Sequence, residues 1–230
     1  MKREKAEQYM LALQFFSDVL LNPPDEALLR HIVDEGLFER FSAWECFRPG
    51  GEGEVCESDP AKVLRHLQKT CSVRRGGEGK EAVDRLLEEL YDDHRALLSG
   101  PAPRARPWES LWKERSATPH RAPKEKLRQW YHDWGVATAR DDLIAEDQLG
   151  RELAFALHLL RLTVEDPQAV SSWKQPPRAA LADFMDQHLL PWAGPCLRKV
   201  YEEASTVFFR ELPKLCCVML ENLRRDVAGE

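Results

Sequence analysis

An all-α fold is predicted by three observations. Apolar residues recur at three- and four-residue spacing along most of the chain. Proline, glycine and capping side chains stand where these runs begin and end. No stretch alternates apolar and polar residues with the β-branched enrichment that a half-buried strand requires. The expected architecture is a single globular domain over residues 1–230, about ten helices packed ridge into groove around one core.

The elements follow in order. Residues 4–20 place Met10, Leu13 and Leu20 at helical spacing, with Leu11, Phe15 and Val19 beside them, and Pro23-Pro24 stop the run because proline lacks a donor and clashes inside a helix. Asp25 opens a helix over 25–35, Gly36 is a left-handed cap, and Leu37, Phe38 and Phe41 form a short continuation. After a glycine-rich loop, Asp59-Pro60 is a helix start whose apolar face is Val63, Leu64 and Leu67. A second glycine loop at 74–79 leads into the longest pattern, 80–98, with Val83, Leu86, Leu87, Leu90, Leu97 and Leu98 inward. Gly100, Pro101, Pro103 and Pro107 force a turn, and Trp108 and Trp112 share a face of a short helix over 108–113. Residues 116–123 read as a linker. Helices are expected over 123–134, 146–163, 177–190 and 195–210, with Pro213 kinking the last one before 216–223.

Composition narrows the function classes. Hydrophobic residues make up 43% and charged residues 31% of 230 residues, enough for a core under a solvated exterior. A net charge of -6 disfavours a nucleic-acid binder, which needs a basic face. No run approaches the roughly 18 apolar residues of a membrane span, and the N-terminal pattern is broken by Glu7, Gln8, Gln14 and Asp18, unlike a signal segment, so a cytoplasmic location is expected. Cys46, Cys56, Cys71, Cys196, Cys216 and Cys217 contain no C-x-x-C pair and read as reduced, mostly buried thiols.

Catalytic motifs fail on inspection. Gly76-Gly77-Glu78-Gly79-Lys80 lacks phosphate-loop spacing, carries Glu81 where the metal-binding hydroxyl belongs, and follows no strand. Arg74-Arg75 lies mid-chain with no apolar stretch after it. The seven histidines show no metal-ligand spacing, and no nucleophile stands beside a base. The expectation is a protein that is not an enzyme and uses neither cofactor nor metal.

Two stretches carry a binding reading instead: Asp93 to Pro101 continuing to Pro107-Trp108-Glu109-Ser110, and Ile144 to Leu153. Trp108, behind Pro107 and beside the Gly100-Pro101 turn, is placed to line a groove, and aromatic rings supply much of the energy of peptide hot spots. Glu146 and Asp147 stand at an expected helix start, where the helix dipole alone stabilises acidic groups by about 0.3–1 kcal/mol. The functional alternative is that they, with Asp93, face a guanidinium-bearing peptide, since carboxylates pair bidentately with arginine.

At these residues the chain resembles the TorD/DmsD family of redox enzyme maturation chaperones, from about Tyr91 to Pro213. The family's acidic-aromatic-x-x-Leu-Phe run before Gly-Pro corresponds to Asp93-His94-Arg95-Ala96-Leu97-Leu98-Ser99-Gly100-Pro101. Its Pro-Trp-Glu-Ser segment is intact at 107–110, and its Phe-x-x-x-His-Leu-x-x-Trp pattern is intact from Phe184 to Trp192. Its Glu-Pro-x-Asp-His-x-Gly box aligns with 144–150, where Ile144, Ala145 and Gln148 replace the Glu, Pro and His, and Asp147 and Gly150 remain. Gln148 can donate and accept hydrogen bonds but cannot carry a histidine's charge.

The resemblance implies a cytoplasmic chaperone that binds the twin-arginine signal peptide or the apo form of a molybdopterin-containing oxidoreductase catalytic subunit, of DMSO-reductase type, until its cofactor is inserted. It implies a monomer or a domain-swapped dimer, with residues 116–123 as the hinge between an N-terminal and a C-terminal helical part; no nucleic-acid partner and no membrane insertion are expected from the acidic balance and the lack of a long apolar run. The peptide-binding set it points to is Asp93, Leu98, Gly100, Pro107, Trp108, Asp147 and Gln148. Two other readings stand beside it: an assembly chaperone for a molybdoenzyme without an export signal, and, less favoured, a nucleotide-binding enzyme.

Overall fold

The computed structural model describes residues 1–48, 59–72, 79–113, 121–137, 145–165 and 175–229. The described residues are helical throughout, as the periodicity predicts, apart from turns and one isolated β-bridge. The α-helices are α1 (Arg3–Leu21), α2 (Glu26–Val33), α3 (Leu37–Ala43), α4 (Pro60–Cys71), α5 (Gly79–His94), α6 (Glu109–Lys113), α7 (Arg121–Asp133), α8 (Leu149–Glu165), α9 (Pro177–Phe184), α10 (Leu190–Glu203) and α11 (Val207–Ala228). Of the expected linker, 116–120 lies outside the described residues, and the helix begins at Arg121. Cys56 and Ile144 also lie outside them.

The chain divides into two compact units. The first contains Met1–Asp18, Pro107–Cys196 and Leu223–Glu230, and the second Val19–Arg106 and Leu197–Asn222. In the first, Leu13, Phe16, Leu153, Phe184 and Trp192 are fully buried. Tyr9 donates to Asp226 at 2.5 Å, and Ser17 donates to the Gly150 carbonyl at 2.8 Å, so the N-terminal helix is tied to its unit by polar as well as apolar contacts. In the second, Ile32, Phe38, Phe41, Leu67, Leu90 and Phe208 are buried. There Phe41 stacks on Phe47 at 4.9 Å and packs on Trp44 at 4.7 Å.

Local chemistry sets the helix ends. Asp25 caps α2 by accepting from the Leu28 amide at 2.8 Å, and Asp59 caps α4 through the Ala61 amide at 3.0 Å, with Pro60 in the first turn. Gly36 adopts φ +63° between α2 and α3, the left-handed conformation its position required.

Several boundaries differ from expectation, and two of them bear on the candidate residues. The helix expected over 195–210 is broken at Ala204-Ser205-Thr206: α10 runs through Pro195 and ends at Glu203, and α11 starts at Val207. The reason is a capping signal: Thr206 Oγ1 accepts from the Phe209 amide at 3.3 Å, and Asp93 accepts from the Ser205 and Thr206 amides. The acidic pair Glu146-Asp147 precedes α8 rather than sitting in its first turn, because α8 begins at Leu149 and the Asp147 carboxylate serves another helix. Two π-helical turns, Arg95–Ser99 after α5 and Met185–Leu189 between α9 and α10, fall within two of the four sequence patterns, 93–101 and 184–192. Five cysteines, Cys46, Cys71, Cys196, Cys216 and Cys217, are buried thiols outside any disulfide; burial pushes the Cys71 thiol up to about 12, which suppresses its thiolate.

Candidate functional site

The candidate residues fall into two groups, one in each unit. In the first unit, Pro107 and Trp108 meet Asp147 and Gln148 through an antiparallel bridge between Trp108 and Gln148. The Glu109 amide donates to the Asp147 carbonyl at 2.9 Å, and the Leu149 amide donates to the Pro107 carbonyl at 3.0 Å. Two segments distant in sequence are thereby clipped together just before the helices each of them starts, α6 and α8.

Asp147 is fully buried at this clip. Its Oδ2 accepts from the Ser110 hydroxyl at 2.6 Å and the Ser110 amide at 3.2 Å, so it caps α6 across the bridge. Lys124 Nζ lies 3.5 Å from its other oxygen and offsets the buried charge. Gln148 is 6% exposed, and its Oε1 accepts from the Gly150 amide at 2.6 Å, capping the first turn of α8. Pro107 is buried, and Trp108 is half-buried.

A polar cluster of the same unit links the remaining family patterns. Phe184, His188 and Trp192 are spaced by four residues and share a helix face. His188 Nδ1 bonds to Glu109 Oε1 at 3.0 Å, and Trp192 Nε1 donates to Glu152 Oε2 at 3.1 Å. Lys113 pairs with Glu109 at 2.5 Å and donates to the Gln187 carbonyl. Pro-Trp-Glu-Ser, the acidic box and the Phe-x-x-x-His pattern are therefore parts of one hydrogen-bonded arrangement. Burial, then the nearby Glu109 charge, holds the Glu152 carboxyl well above the usual carboxylate range, against a smaller downward pull from Trp192. The roles of Glu109 and Glu152 are not legible from composition or motif spacing. The one signal was that Glu109 and His188 both lie inside quoted patterns.

In the second unit, Asp93 and Leu98 are each 2% exposed. Asp93 accepts from the Ser205 amide at 3.1 Å, the Thr206 amide at 2.8 Å and the Thr206 hydroxyl at 2.7 Å, and so caps α11. Gly100 closes the π-turn: its amide donates to the Arg95 carbonyl at 2.7 Å, and a Cβ there would lie 2.6 Å from that oxygen. Only glycine fits this approach. His94 is buried, with Nδ1 3.1 Å from the Ser99 hydroxyl, and burial pushes its pKa down to about 4.

The second unit also carries exposed acidic groups outside the family patterns. A depression of about 520 Å³ is lined by Pro24, Leu87 and Tyr91 with Asp25, Glu26, Glu88 and Asp92 around them. Tyr91 is 50% exposed. Asp84, Glu88 and Asp92 recur every four residues along α5, a like-charge row that costs a few tenths of a kcal/mol per pair, roughly, when no cation faces it. That spacing was the available signal.

Among the described residues, no group of three or more His, Cys, Asp or Glu side chains is arranged to hold a metal ion, and no helix is long and apolar enough to cross a membrane.

Among the described residues, the scaffold is all-helical and these patterns tie two loop segments to the helices of the first unit. Residues 57–198 match the family model described as the nitrate reductase delta subunit, and the chain belongs to that family. The family is a non-catalytic chaperone class that serves the maturation of molybdoenzymes. No curated protein matches the chain at a significant level.

Proposed function

We propose that this chain is a cytoplasmic chaperone that binds the twin-arginine signal peptide, the apo form, or both, of a molybdopterin-containing oxidoreductase catalytic subunit and holds it until its cofactor is in place, before export. Membership of the delta-subunit family is the observation that carries the reading. Asp93, Leu98 and Gly100 in one unit, and Pro107, Trp108, Asp147 and Gln148 in the other, are the proposed peptide-binding residues, with Gly100 and Trp108 the accessible member of each group and the rest holding the segments that present them. Because Asp93 and Asp147 are committed to helix caps, the charges for two arginines are assigned to Glu88 and Asp92, beside the exposed Tyr91 ring and Leu87. Guanidinium groups would pair with the carboxylates, and the peptide's apolar stretch would follow onto the ring.

A second reading is favoured by one observation: where the resembled box has a histidine, Gln148 turns its amide oxygen back onto Gly150. A client without an export signal fits that loss, and the matched family is itself described by a nitrate reductase.

Calorimetry separates the readings. The leader of a molybdopterin oxidoreductase encoded beside this gene is titrated into the folded protein, with an Arg-Arg to Lys-Lys leader and the Glu88→Lys/Asp92→Lys variant as comparisons. Saturable binding that weakens at least tenfold in both comparisons supports the signal-peptide reading. Heat of dilution alone, with the protein folded, overturns it.

A further inference from the structure

His188 points to a second binding site, in the first unit. It is 6% exposed, and its ring is fixed from several sides: Nδ1 on Glu109, one face stacked on Phe184 at 5.5 Å, and Trp130 against it at 6.0 Å. Nε2 has no hydrogen-bond partner among the described residues. Yet His188 lines an open cavity of about 540 Å³, walled by Trp130 and Trp134 and edged by Gln129, Gln187 and Lys126. That volume lies within the roughly 300–1,000 Å³ of small-ligand sites. With Nδ1 committed to a carboxylate, Nε2 is the nitrogen left to face the cavity.

The chemistry selects the ligand. In the tautomer that carries its proton on Nδ1, toward the Glu109 carboxylate, the ring offers Nε2 as an acceptor. Among the described residues the edge carries one ammonium, Lys126, and one carboxylate, Asp133, whose Oδ1 already accepts from Gln129 at 2.5 Å. These two charges offset each other, which disfavours phosphate or a strongly charged ligand. Two indoles offer apolar surface, and glutamine amides both donate and accept, as a peptide backbone requires.

We infer that this cavity takes a short neutral peptide segment of a partner protein, with one apolar side chain against Trp130 and Trp134 and a main-chain N–H donated to His188 Nε2. Glu109 is then a positioning residue: it sets the tautomer that makes Nε2 an acceptor. The site lies in the other unit from the acidic depression, and its test needs no client leader, so it stands or falls separately from the signal-peptide reading.

The test uses the full chain with ¹⁵N-labelled histidine and tryptophan, titrated with N-acetyl-leucine-N′-methylamide. The control probe is N-acetyl-proline-N′,N′-dimethylamide, which has no N–H. The expected result is a saturable shift of the His188 Nε2 and Trp130 indole resonances by the leucine probe, with the control at least tenfold weaker. His188→Asn keeps a donor for Glu109 and removes Nε2, so it should fold and bind the leucine probe at least fivefold more weakly. Equal responses to the two probes, or none at either ring, would overturn the inference in the wild-type protein alone, whatever the variant's stability.

Discussion

Asp147 accepts a 2.6 Å hydrogen bond from the Ser110 hydroxyl while both residues are fully buried. The carboxylate preceding one helix caps another, and the contact joins the acidic box to the Pro-Trp-Glu-Ser segment. Removing a partner from such a pair strands a buried polar group, which costs about 1–3 kcal/mol. Asp147→Ala and Ser110→Ala should each lower the urea unfolding free energy by about that amount, and the double variant should cost less than their sum by about 0.5–3 kcal/mol. Additive losses would mean the two residues do not act as a unit.

Acid should destabilise the chain through His94. Its folded value lies near 4, below the ordinary 6.5, because burial disfavours the imidazolium. Above pH 6.5 the ring is neutral in both states and contributes no pH dependence. Between 6.5 and 4 the unfolded chain takes up a proton that the folded chain does not, so stability falls as pH falls, by about 3 kcal/mol in total. His94→Gln should flatten this part of the stability profile relative to wild type, measured by denaturant unfolding from pH 7 to 4. Parallel profiles would contradict the assignment.

Glu152 predicts the opposite sense. Its folded value is raised by burial and by Glu109, so its penalty is absent below the ordinary carboxylate range and grows as pH rises toward the folded value. Glu152→Gln keeps an acceptor for Trp192 and removes the charge. The variant's melting temperature should exceed wild type at pH 7 and converge on it near pH 4. A variant less stable at neutral pH would show that the carboxylate itself is needed.

These relationships explain how much the sequence revealed. Helix existence was legible because apolar period and caps are local: Asp25, Asp59-Pro60 and Gly36 each stand within a few residues of what they control. The break at 204–206 was not, because half of its cap is Asp93, far away in sequence. For the same reason Asp93 and Asp147 read as exposed acids waiting for arginine. A carboxylate's spacing shows that it can accept, and only the fold shows whose N–H it meets. The family patterns marked the right segments, although Glu109, Glu152 and His188 converge through contacts that no spacing rule encodes.

The proposed role is to hold an immature molybdoenzyme. Native mass spectrometry of the chain co-expressed with the oxidoreductase encoded beside it, in cells unable to make the pterin cofactor, would detect that complex. A defined assembly of chaperone and apo-subunit, lost when cofactor synthesis is restored, is the expected result. An apo-subunit that never carries the chaperone, and that gains full cofactor occupancy without it, would rule the role out.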